Sequence, residues 1–82
     1  MDEWLASASA KLAQSVGGDP SDYELDERDV EVLLELARVA AHESGNRTNA
    51  PLICYLAGLA RGRQPGRDLA PLTEDVVGKQ SP

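Results

Sequence analysis

DERDVEVLLELARVAAHESG, Asp26 to Gly45, decides the fold. Val30, Val32, Leu33, Leu34, Leu36, Ala37, Val39, Ala40 and Ala41 leave a single polar line, Glu31, Glu35, Arg38 and His42, at i, i+4, i+7 and i+11. That spacing keeps the four residues on one side of an α-helix while the remaining circumference calls for burial. The stretch therefore predicts a central helix with neighbours on several sides. Its start is marked by Asp26 as a cap, Asp29 in the first turn and Leu25 placed to staple onto Val30. Its end is marked by Gly45, which can take the left-handed conformation that closes a helix.

Working outward, an N-terminal helix runs from an Asp2 cap to the Gly17-Gly18 pair, with an apolar stripe of Trp4, Leu5, Ala8, Leu12 and Val16. The segment GGDPSDYELD that follows has the composition of a loop, anchored by Tyr23. On the other side, Thr48, Asn49 and Pro51 announce a third helix, whose main stripe is read as Leu52, Leu56 and Leu59 and which ends between Gly62 and Pro65. From Gln64 onward three prolines and weak periodicity predict a largely mobile tail, with room for a short helix near 71–77 in which Leu69, Leu72 and Val76 share a face. The expectation is an all-α, small three-helix bundle over residues 1–63, followed by a flexible tail over 64–82.

A chain of 82 residues supports one small core and no separate catalytic domain. Cores of this size commonly need a metal, disulfides or a partner chain. The lone Cys54 forms no internal disulfide, and with one histidine it anchors no zinc site of the usual kind. A partner or a second copy is left, and the wide apolar face of the central helix favours a homodimer. No apolar stretch approaches the roughly 20 residues needed to span a bilayer, and the acidic N-terminus is unlike a basic signal peptide, so a cytoplasmic protein away from the membrane is expected.

Charge is uneven. Residues 1–37 carry a net −8, residues 38–67 a net +4, and the remainder −2. The acidic first half opposes a polyanion, so Arg61, Arg63 and Arg67 are read as contacts for a protein and nucleic acid is not expected. The chemically able residues gather where the second helix meets the third, in HESGNRTNAPL, His42 to Leu52. Arg38 lies one turn before His42, and Arg47 and Asn49 follow in the connection. Together with Arg61 and Arg63 at the far end of the third helix they make the candidate interaction surface. They suit a carboxylate or phosphate, although the same residues could instead cap helix ends and order the turn. No catalytic constellation, metal site or cofactor motif is present: GLARGR lacks the lysine and spacing of a phosphate loop, and Cys54 reads as a small hydrophobe.

MDEWLASASAKLA together with VLLELARVAAHESGNRTNAPLICYLAGLARGR resembles the small actinobacterial domain of unknown function numbered 6457. The matching pattern is Trp4-Leu5, the helix end Leu36-Ala37-Arg38 with Ala41-His42, then Arg47, the start Ala50-Pro51-Leu52, and the close Gly58, Ala60, Gly62-Arg63. It covers residues 1–63 and leaves out the acidic loop and the tail. Members of that family occur alone or joined to MobA-like nucleotidyltransferase domains. The resemblance thus implies a non-catalytic accessory to molybdopterin guanine dinucleotide formation, with a MobA-like nucleotidyltransferase or a molybdoenzyme as partner. The alternative is a regulator that binds a small ligand or nucleotide at Arg38, His42 and Arg47.

Overall fold

The computed structural model describes residues 1–64, 66 and 68–78. Among them the regular structure is helical throughout: α1 Glu3–Ser15, a 3₁₀ turn Pro20–Tyr23, α2 Glu27–Ser44, α3 Asn49–Arg63 and α4 Leu69–Val77. The all-α expectation holds. The chain divides into two compact units, Met1–Val30 and Glu31–Pro82.

In the first unit, the Asp2 carboxylate accepts the Leu5 N–H at 2.7 Å and so caps α1. At the other end Gly17 turns left-handed at φ 68°, which lets the Gly18 N–H reach the Ala13 carbonyl at 2.8 Å and the Gly17 N–H reach that of Gln14 at 3.2 Å. These two bonds close the last turn as a Schellman motif. Asp19 then accepts from the Ser21 N–H and hydroxyl, starting the 3₁₀ turn that packs back on α1. The two bonds, the backbone one foremost, hold the Asp19 carboxyl below the usual carboxylate range.

The face that α1 buries differs from the apolar stripe expected for it. Ser9 and Ala13 are buried and Leu5 half-buried, whereas Trp4, Leu12 and Val16 face solvent. Small side chains mark the inward line. Ser9 can be enclosed since its hydroxyl donates to the Ala6 carbonyl one turn back, at 2.9 Å.

α2 opens on a reciprocal capping box: the Asp29 N–H donates to Asp26 at 2.7 Å, and the Asp26 N–H to Asp29 at 3.3 Å. Within the second unit its core residues are Leu36, 1% exposed, and Val39. Val32, Leu33, Ala37, Ala40 and Ala41 are half-buried. Leu34 breaks the expected pattern at 66% exposure, since it lies one turn before Arg38 beside the polar line. Gly45, at φ 68°, ends the helix as expected.

α3 starts at Asn49, two residues earlier than Pro51, which falls in its first turn. Its inward residues are Ala50, Ile53, Cys54, Ala57 and Arg61, all half-buried. The Cys54 thiol donates to the Leu33 carbonyl of α2 at 3.6 Å. The expected inward stripe is reversed: Leu52, Leu56 and Leu59 are exposed.

The short helix expected in the tail is present as α4. α4 begins two residues before the stretch 71–77, lies against α3, and buries Leu69 and Thr73. The Thr73 hydroxyl is satisfied by the Ala70 carbonyl at 3.1 Å. Val76, expected on the inward face, is exposed, while Leu72 and Val77 are half-buried. Residues 65, 67 and 79–82 of the expected flexible segment, including Arg67, lie outside the described residues.

Candidate interaction surfaces

The joint between α2 and α3 is built by short polar side chains. The Asn46 N–H donates to the Ser44 hydroxyl at 3.1 Å, and the Asn46 carboxamide oxygen accepts the Thr48 N–H at 3.0 Å and the Thr48 hydroxyl at 2.6 Å. This Asx turn delivers the Asn49 N–H to the Asn46 carbonyl at 3.1 Å and so begins α3. Of the two roles open to Thr48, capping α3 or ordering the turn, it takes the second, since its hydroxyl goes to Asn46.

Of the residues proposed from the sequence, His42 and Arg47 are exposed at this joint and Asn49 is half-buried. None of the side-chain bonds that order the turn comes from His42 or Arg47. Arg38 is engaged: its guanidinium grips both carboxylate oxygens of Glu35, one turn back. That hydrogen-bonded pair lowers the Glu35 carboxyl and raises the Arg38 guanidinium from their ordinary values. Arg61 is half-buried and Arg63 exposed. They stand at the other end of α3, about 18 Å and about 21 Å from Asn49 along a helix rising 1.5 Å per residue. The six residues therefore form two separate groups.

The surface that sequence reasoning missed is the outer side of α3. Leu52, Tyr55, Leu56 and Leu59 follow at i, i+3, i+4 and i+7, all exposed, on the side opposite Cys54 and Ala57. A second apolar area lies on α1, where Trp4, 76% exposed, borders a shallow groove with Ala8, Lys11 and Leu12. The signal for the first was present in the sequence: α3 has apolar residues all round and no acid, so ranking the leucine stripe as inward left the opposite side equally able to be buried.

Chemistry is sparse. Among the described residues no three His, Cys, Asp or Glu side chains could together hold a metal ion. Burial pushes the Cys54 thiol up, away from the thiolate that a nucleophile requires. Among the same residues no helix is long and apolar enough to cross a membrane.

A small all-helical protein with apolar surface on two helices and its titratable groups scattered is the class these features define. The chain belongs to the family described as a domain of unknown function, DUF6457, whose model matches residues 1–80. The match includes the acidic loop and α4, beyond the residues 1–63 that carried the resemblance. No curated protein and no solved structure matches the chain.

Proposed function

We propose that this chain is a non-catalytic interaction module whose docking face is the outer row of α3. One observation carries the reading: α3 is apolar on two opposite sides, and one of them, Leu52, Tyr55, Leu56 and Leu59, meets solvent. A helix hydrophobic all round is ordinarily enclosed, and a contiguous apolar patch on a soluble protein ordinarily marks a contact surface. The partner suggested by the family resemblance is a nucleotidyltransferase of molybdenum cofactor synthesis. Arg63 and Arg47 at the two ends of the row would favour acidic groups at the rim of that partner's site.

Calorimetric titration of the chain against such a nucleotidyltransferase tests the proposal. Wild type should bind, and Leu56→Glu should weaken binding by at least about tenfold, the effect of burying a charge at the centre of an interface, with helicity unchanged. Absence of wild-type binding would remove the cofactor-synthesis link, and binding indifferent to Leu56→Glu would remove the α3 face. The small-ligand alternative is less well supported, since Arg38 is already held by Glu35 and leaves His42 and Arg47 to supply the charge.

A further inference from the structure

We propose that the outer row of α3 seats α1 of a second copy of this chain, the two helices antiparallel, with the basic end of α3 beside the acidic start of α1. The inference names what covers the face described above while no other partner is bound, so that a larger partner would displace the second copy, and it rests on that interaction reading.

Charge selects the occupant. α3 contains no acid, its last turn holds Arg61 and Arg63, and Arg47 precedes it. A second α3 laid antiparallel on this face would set Arg63 of one copy beside Arg47 of the other, which opposes α3-on-α3 pairing. α1 is the complement. Asp2 caps it, Glu3 lies in its first turn, its last turn has no base, and Asp19, Asp22 and Glu24 follow its end. Antiparallel docking places Glu3 near Arg63 and the acidic loop near Arg47, and it sets the positive end of each helix dipole beside the negative end of the other.

Shape agrees with charge. α1 has 13 residues and α3 has 15, so the two present rows of similar length. The register brings the exposed Trp4 ring to the far end of α3, where Gly58 and Gly62 flank Leu59. A Cβ built on either glycine meets nothing within 4 Å, which leaves room for an indole.

Sedimentation of the full chain from about 1 μM to about 1 mM, a range spanning weak to tight homodimers, tests the pairing. Wild type should dimerise and Leu56→Glu should not. Glu3→Lys and Arg63→Glu should each weaken the dimer about tenfold, and the double variant should recover to within about threefold of wild type, as expected for a reversed charge pair. Helicity and thermal melts of each variant establish that the monomer still folds. A wild-type monomer at all concentrations would overturn the second copy alone, leaving the interaction reading to its own titration. A dimer indifferent to Leu56→Glu would overturn this interface, and loss without recovery in the double variant would overturn α1 as the occupant.

Discussion

His42 and Arg47 are the residues a reader of the sequence would mutate first, and the structure separates them from the folding machinery. The turn they flank is ordered by Ser44, Asn46 and Thr48. His42→Ala and Arg47→Ala should therefore leave the melting temperature nearly unchanged, within the ~0.5 kcal/mol typical of surface substitutions. Asp26→Ala should not be silent. It deletes the acceptor of the Asp29 N–H at the start of α2, a loss of about 1 kcal/mol. In a domain this small that lowers the melting temperature by roughly 4–8 °C. Thermal melts of the three variants side by side decide the matter: an Arg47 or His42 variant that melts as early as the Asp26 variant would return the joint to a purely structural role.

At the scale of the elements, the short helix expected near 71–77 forms as α4 and starts two residues earlier. Leu69 is 3% exposed, so the segment is held by burial as well as by local propensity. Leu69→Ala should cost about 2–5 kcal/mol, the range for truncating a large buried aliphatic. Removing everything after Gln64 should cost at least as much and lower the denaturant midpoint visibly. A truncated chain with an unchanged urea midpoint would show that α4 adds nothing to the fold. The contrast explains what was legible in the sequence. The caps at Asp2 and Asp26 and the stops at Gly17 and Gly45 could be read because each is settled by bonds or backbone freedom within a few residues. The inward faces could not. Ser9 and Ala13 are buried on α1, and Cys54 and Ala57 are turned inward on α3. Hydropathy ranks those side chains below the leucines that end up outside. The candidate site divides the same way: the joint was readable from its polar residues, whereas the outer row of α3 was hidden among residues assigned to the core.

For the molecule as a whole, the imbalance between an acidic first half and a basic middle supplies two surfaces of opposite sign on one small chain. Such a chain has the means to recognise itself, and its attraction should weaken as salt screens the ends of the paired helices. Its single tryptophan makes that event visible. The indole of Trp4 is 76% exposed in the folded chain, so it already emits from an aqueous environment and unfolding offers it little further change. Heating should erase the far-ultraviolet helical signal while the emission maximum barely moves. Concentrating the protein should do the reverse: ellipticity stays constant and the emission shifts to shorter wavelength as the ring leaves water, with a matching loss of quenching by acrylamide. If the protein associates and the spectrum stays fixed, Trp4 lies outside the contact. On the proposed pairing the residue would be an intrinsic optical sensor of assembly, and one nearly blind to folding.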